Sequence, residues 1–231
     1  MNQVAIVTGA SSGIGMAVAE QFLDMGFSVI SLSRRHCPVK TVTTLQTDLA
    51  DITSLSGTVT TLTKILKDQP GAQVCLLHNA SLMRKDCCSD TDDESLELSL
   101  SVNVMAANTL NRHLLPLMAR NSSVLYVGST LSEKAVAGAF SYIVSKHAQM
   151  GMMRATCQDL MGRGIHTALI CPGFTDTAML RKHVGHNEEI LNSLGEMNSF
   201  GRLVAPKEIA ELIVWAHHHP LINGSILHGN L

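Results

Sequence analysis

A chain of 231 residues has room for one large α/β domain with a substantial core, and no linker, repeat or low-complexity tract divides it, so a single domain over 1–231 is expected. Apolar content of 45% and charged content of 16% describe a soluble globular protein, and a formal charge of −2 gives no reason to expect nucleic acid or an anionic membrane as partner. No apolar stretch approaches the roughly 20 residues of a membrane span, Met1-Asn2-Gln3 leads into Val4–Val7 without a basic segment, and six cysteines lack the spacing of a disulfide framework, so a reduced, cytoplasmic protein is expected.

In chain order, short apolar runs at 3–8, 27–32, 42–46, 73–78, 123–128, 166–170 and 225–228 read as strands. Longer amphipathic patterns at 13–25, 51–67, 93–119, 141–162, 177–183, 187–195 and 206–218 read as helices. Such alternation is the signature of a parallel sheet covered by helices, with strands buried on both faces. Asp51 is placed to cap the second helix, and Pro206 suits the first turn of the last. Only the segment Ser33 to Thr41 separates the second and third strands, and it contains Pro38. A parallel crossover normally takes a dozen or more residues and a helix. An irregular loop is therefore predicted there, leaving one sheet face near the third strand less covered.

After the first strand comes Thr8-Gly9-Ala10-Ser11-Ser12-Gly13-Ile14-Gly15, opening a helix. Glycines allow a tight turn and close backbone approach, and a helix N-terminus offers free N–H groups to a phosphate. A glycine-rich turn alone is ambiguous, but its place between an N-terminal strand and a helix favours dinucleotide binding. The second strand ends in Ser33-Arg34-Arg35 without an acidic residue. In dinucleotide folds an acid here binds the ribose 2′-OH of NAD, whereas arginine accommodates the 2′-phosphate of NADP. NADP(H) is therefore preferred and NAD(H) possible, the alternative being a pair of solvated loop arginines.

Tyr142 and Lys146 stand four residues apart, and Ser129 lies thirteen residues before the tyrosine. On a helix, i and i+4 share a face, and a neighbouring ammonium favours phenolate over the ordinary phenol pKa near ~10. A tuned tyrosine can give a proton to a carbonyl oxygen or take one from an alcohol. Alone, this spacing most often marks a surface pair.

With these pieces together, the chain resembles the short-chain dehydrogenase/reductase family in its short single-domain form. The resemblance rests on Thr8-Gly9 through Gly13-Ile14-Gly15, on Asp48-Leu49, on His78-Asn79-Ala80-Ser81, on Asn103, and on Ser129, Tyr142 and Lys146, followed by Pro172-Gly173-Phe174-Thr175-Asp176-Thr177. It implies a Rossmann-like, doubly wound, seven-stranded parallel sheet in the order 3-2-1-4-5-6-7. It implies a cofactor site comprising Gly9, Ser11, Ser12, Gly13, Ile14, Gly15, Ser33, Arg34, Asp48, Leu49, Asn79, Ala80, Tyr142, Lys146, Pro172, Gly173, Thr175 and Thr177. It also implies a catalytic tetrad of Asn103, Ser129, Tyr142 and Lys146. In that tetrad Lys146 lowers the Tyr142 pKa and bonds the nicotinamide ribose, Ser129 holds the carbonyl, and Asn103 holds a water leading to Lys146. The departures are His78 for the first Asn and Ser81 for the Gly of the family's Asn-Asn-Ala-Gly, a missing crossover helix, and a C-terminus without Gly-Gly.

The expected activity is the NADP(H)-dependent interconversion of a small-molecule carbonyl and alcohol. The alternative is an NADP-binding sensor or scaffold without turnover, against which the intact tetrad argues. An extended-type epimerase or dehydratase would need a further substrate domain. The segment Thr175 to Phe200, with Met179, Leu180, His183, Leu191 and Leu194, predicts a partly apolar pocket under a mobile lid. The resemblance implies a homodimer or homotetramer formed through the helices at 93–119 and 141–162. His147 and the Met150, Met152, Met153 and Met161 group read as packing residues, Cys75 and Cys171 as buried, and Cys87-Cys88 as loop surface. His217-His218-His219 ends a helix, where consecutive residues do not all face one metal, so no metal is expected.

Overall fold

The computed structural model describes residues 2–231. Successive side chains of a strand point to opposite faces, and in β1 (Gln3–Thr8) both sets are apolar. Val4 and Ile6 enter one core, while Ala5 and Val7 enter the other. Such a strand is stable only between two layers of helices. β1 is accordingly central in a sheet with β2 (Ser28–Ser33), β3 (Thr43–Gln46), β4 (Gln73–His78), β5 (Ser123–Val127), β6 (His166–Pro172) and β7 (Ser225–Gly229). The order is β3-β2-β1-β4-β5-β6-β7, with every pairing parallel, as expected.

α2 (Ile52–Lys67), α4 (Ala106–Leu114) and α5 (Phe140–Asp159) cover one face. α1 (Gly13–Asp24) and α8 (Pro206–His218) cover the other and pack on each other. Asp51 caps α2, its carboxylate accepting the Thr53 N–H at 2.8 Å. Pro206 opens α8, where the Glu208 carboxylate accepts the Ala205 N–H at 2.8 Å.

The expected single helix over 93–119 is interrupted. It divides into α3 (Asp93–Leu100), a π turn at Ser101–Met105, α4, and a 3₁₀ turn at Leu115–Leu117 containing Pro116. The π turn carries Asn103, whose side chain is bonded to the loop at Leu82. Pro116 lacks the N–H that α-helical continuation requires. Between β2 and β3 there is an irregular loop and no helix, with Thr41 at φ +70°. No residue of β3 is buried, as the short crossover requires. At the carboxyl end of β1, the chain leaves for α1 on one face, while β4 on its other side connects toward the opposite layer. The crevice at this switch point is where ligands bind in open α/β sheets.

Candidate active site

The glycine turn forms the floor of that crevice. Gly9 (φ +75°) and Gly13 (φ +58°) adopt left-handed conformations that favour glycine. A Cβ on Gly15 would collide with the Asn79 amide and the Gly9 carbonyl. Asn79 is the staple beneath the turn. Its Nδ2 donates to the carbonyls of Thr8 (2.9 Å) and Gly9 (3.2 Å), and its backbone N–H donates to Thr8 Oγ1 (2.8 Å). Ser12 at the head of α1 makes no side-chain cap, and no acid sits in the first turn. The free N–H groups and positive helix end remain available to a phosphate.

At the adenine side, Ser33 is buried and shares a 2.9 Å hydrogen bond with Ser31. Arg34 and Arg35 are exposed at the rim. Asp48 is set by its own loop: Oδ1 accepts from the Ala50 N–H at 3.0 Å, and its N–H donates to Ser54 Oγ at 2.9 Å.

The catalytic candidates converge from β5 and α5. Ser129 follows β5, and its Oγ accepts the Leu131 N–H at 3.1 Å, so its own proton is left to donate elsewhere. α5 is started by a residue far away in sequence. Asp86 accepts the Phe140 N–H on its backbone carbonyl (3.2 Å) and the Ser141 N–H on its carboxylate (3.1 Å), and also takes the Ser141 hydroxyl proton. This fixes the rotation of the first turn, which carries Tyr142.

Burial dominates the electrostatics. Tyr142 is 7% exposed, and desolvation pushes its pKa up to about 12, with the nearby Ser129 and Ser81 hydroxyls partly offsetting the rise. Lys146 is 1% exposed and is pushed down to about 7 by the same cause. The expectation that Lys146 lowers the Tyr142 pKa is thus not met in the free protein. The ammonium stands 5.4 Å from the phenol ring centre. It donates instead to the Val127 carbonyl (2.8 Å) and to Gln149 Oε1 (2.9 Å).

Asn103 is held on both sides. It is fully buried behind the cavity wall, with Oδ1 accepting the Leu82 N–H (2.7 Å) and Nδ2 donating to the Leu82 carbonyl (2.9 Å) and Ser145 Oγ (2.8 Å). Its backbone carbonyl accepts Gln149 Nε2 at 2.6 Å, so the Gln149 amide links it to Lys146.

The segment after β6 closes the far side. Gly173 donates its N–H to the Gly229 carbonyl (3.0 Å), and a Cβ there would strike the Asn230 side chain. Thr177 caps α6 (Ala178–His183), its Oγ1 accepting the Leu180 N–H at 3.2 Å, and its methyl lies against Gly13. Arg181 grips Asp176 with two bonds (2.6 and 2.9 Å) and reaches Glu188 (2.9 Å) at the start of α7 (Glu188–Glu196).

These elements enclose a cavity of about 670 Å³. Gly9, Ser11, Ser12, Gly13, Ile14, Ser33, Arg34, Asp48, Leu49, Asn79, Ala80, Ser129, Tyr142, Lys146, Pro172, Gly173, Thr175 and Thr177 all line it. Gly15 and Asn103 do not; they support it from behind. Met179, Leu180, His183 and Leu194 line it as expected, whereas Leu191 is buried and lines a neighbouring hollow. Gln149 and Asp86 were not singled out from sequence, and Ser81 was named only as a departure from the family motif. Ser81 carries a buried hydroxyl without a hydrogen-bond partner. Gln149 had a usable signal, its i+3 spacing from Lys146, while Asp86 had none.

Other expectations meet mixed outcomes. His147 is exposed rather than packed, bonding the Ile143 carbonyl, and Met161 is exposed while Met153 is buried. Cys75 and Cys171 are buried and Cys88 is exposed, with all six cysteines free. His217 turns inward to Ser123 Oγ (2.7 Å), and His219 stacks on Trp215, so the three histidines diverge. Among the described residues no helix is long and apolar enough to cross a membrane.

Comparison with known proteins places this cavity in a family. A family profile described as Enoyl-(Acyl carrier protein) reductase matches residues 9–230. The chain is 25% identical over 240 residues to 3-oxoacyl-(acyl-carrier-protein) reductase FabG of Vibrio harveyi, covering 99% of this chain and 96% of that protein. Its fold matches a short chain dehydrogenase from Burkholderia cenocepacia solved in complex with NADP (TM-score 0.83, 23% identity, 97% and 94% coverage). It also matches 4-hydroxyisoleucine dehydrogenase complexed with NADH (TM-score 0.84, 20% identity, 98% and 96% coverage). With its parallel sheet order, glycine turn and Ser129, Tyr142 and Lys146 on one cavity, the chain belongs to the short-chain dehydrogenase/reductase family of oxidoreductases.

Proposed function

We propose that this protein reduces a small-molecule carbonyl with NADP(H), Tyr142 being the proton donor. The observation that carries this is the convergence of Ser129, Tyr142 and Lys146 on the cavity that the glycine turn opens. The cradle fits a dinucleotide: uncapped N–H groups lie at the head of α1, and left-handed Gly9 and Gly13 leave the backbone bare. Gly9, Ser11, Ser12, Gly13, Ile14 and Thr177 would hold the diphosphate, Asp48 and Leu49 the adenine, Arg34 the 2′-phosphate, and Asn79, Ala80, Pro172, Gly173 and Thr175 the nicotinamide end. When bound, the nicotinamide supplies or accepts the hydride.

The remaining steps belong to the chain. With its pKa raised to about 12, Tyr142 is a neutral phenol at pH 7, the form that donates a proton to a substrate oxygen. Ser129, its acceptor side held by Leu131, points its proton at the same oxygen. Lys146 supplies positive charge beside the phenol and toward the ribose, and Asn103 keeps α5 and the Leu82 loop in register. The exposed apolar rim of Leu98, Val136, Phe174, Met179 and Ile190 suits the carbon skeleton of a substrate, which would cover it on binding.

The test is a screen of aldehydes, ketones and acyl thioesters for NADPH oxidation, run in parallel with NADH. Turnover is expected with NADPH, and Tyr142→Phe is expected to lower kcat by about 10²- to 10⁴-fold while NADPH still binds. A Tyr142→Phe protein turning over at the wild-type rate would overturn the assignment.

A further inference from the structure

Lys146 is the one buried lysine among the described residues, and it holds its ammonium without a carboxylate partner. An ion removed from water is costly unless its hydrogen bonds are replaced. The two groups that replace them here are the Val127 carbonyl and Gln149 Oε1, at 2.8 and 2.9 Å. Gln149 lies three residues on along α5, on the same face, and is itself 1% exposed. Its other end is committed too, Nε2 donating to the Asn103 carbonyl in the π turn at 2.6 Å. One amide therefore ties the ammonium on α5 to the element that the Leu82 loop also grips.

A buried glutamine can simply satisfy its own polar atoms in a core. Here its acceptor meets the only charge in reach. The titratable groups facing Lys146 are Tyr142, one turn earlier on α5, and Cys171 on β6. Burial pushes both upward, so both are neutral at neutral pH. The Cys171 thiol partly offsets the effect of burial on Lys146, and the Val127 and Gln149 oxygens direct their dipoles at the ammonium from hydrogen-bond distance.

We propose that Gln149 is a positioning residue of the active site: its amide braces Lys146 against the π turn, keeps the ammonium charged, and leaves the third N–H to face the cavity. This rests on the catalytic reading above for its consequence in turnover, but not for its physical content.

The experiment is a pH titration of the full-length protein carrying ¹³C-labelled lysine, following the buried lysine by NMR, with NADPH binding measured by its fluorescence. The wild-type midpoint is expected at about 7. Gln149→Met, of similar size but without the acceptor, is expected to lower the midpoint by roughly one unit, and to weaken NADPH binding about tenfold through a displaced ammonium. Gln149→Glu keeps the acceptor oxygen, adds a negative charge, and is expected to raise the midpoint. A purely structural role would lower the melting temperature and leave the lysine midpoint unmoved in the Met variant, and that result overturns the proposal. Should the Met variant not fold, Gln149→Leu, which also lacks the acceptor, decides by the same criterion. Wild-type protein that binds no NADPH would sink the cofactor reading while the lysine midpoints still judge Gln149.

Discussion

Arg34 shows how much a single side chain at the rim can decide. It is exposed at the end of β2, directly after Ser33, where the sequence offers no acidic residue. Guanidinium binds a phosphate by charge-assisted, bidentate hydrogen bonds that a hydroxyl does not match in strength. Arg34→Asp is therefore expected to raise the KM for NADPH by about tenfold or more, since it exchanges a charge-assisted bond for a repulsion, and to improve NADH. Steady-state kinetics with both coenzymes check it, and equal loss with each would count against a 2′-phosphate contact. At the same scale, Ser81 holds a buried hydroxyl beside Tyr142, close enough to offset part of the rise in the phenol's pKa.

Among the elements, α5 carries Tyr142 and Lys146, and its first turn is organised from outside. Asp86 supplies both a carboxylate cap and a backbone carbonyl to Phe140 and Ser141, immediately before Tyr142. A carboxylate at a helix N-terminus both satisfies free N–H groups and complements the dipole. Asp86→Ala is expected to cost about 1–2 kcal/mol of stability by urea unfolding. It is also expected to lower kcat more than NADPH affinity, because the phenol moves while the glycine turn stays. Unchanged stability and kcat would show that the cap is dispensable. The π turn works with α5 in the same way: Asn103 and Gln149 cross-link the two elements from residues 46 positions apart.

For the molecule as a whole, acid is the expected weakness. His78 and His217 are buried neutral, the first bonded to Asn111 and the second to Ser123. Desolvation lowers their pKa values from the ordinary 6.5 to about 4 and about 3 respectively. Above pH 6.5 neither the folded nor the unfolded chain protonates them, and their contribution is fully present. Between 6.5 and about 4 the unfolded chain alone takes up these protons, so stability falls as pH falls, by up to about 1.4 kcal/mol per pH unit for each group. Below about 3 this loss levels off. Urea midpoints at pH 7.5 and 5 measure it, and a His78→Asn protein should show a shallower slope.

Much of this was legible from residues alone, because the deciding features are local. A glycine at Gly9 or Gly13 announces a backbone conformation, alternating apolar runs announce strands buried on both faces, and Ser33-Arg34 without an acid announces charge. The short span from Ser33 to Thr41 even excluded a crossover helix, since chain length alone forbids it. Tertiary structure decided what depends on which surfaces meet. The 93–119 pattern reads as one helix until Leu82 is bound to Asn103 and a π turn is inserted. Lys146 reads as the tuner of Tyr142 until burial, which no spacing encodes, raises the phenol and lowers the amine. Asp86 reaches α5 across 55 positions, a contact with no periodicity to betray it. Backbone geometry is set by neighbours in the chain, whereas desolvation and long-range hydrogen bonds are set by neighbours in space, and the chemistry of this site depends on the second kind.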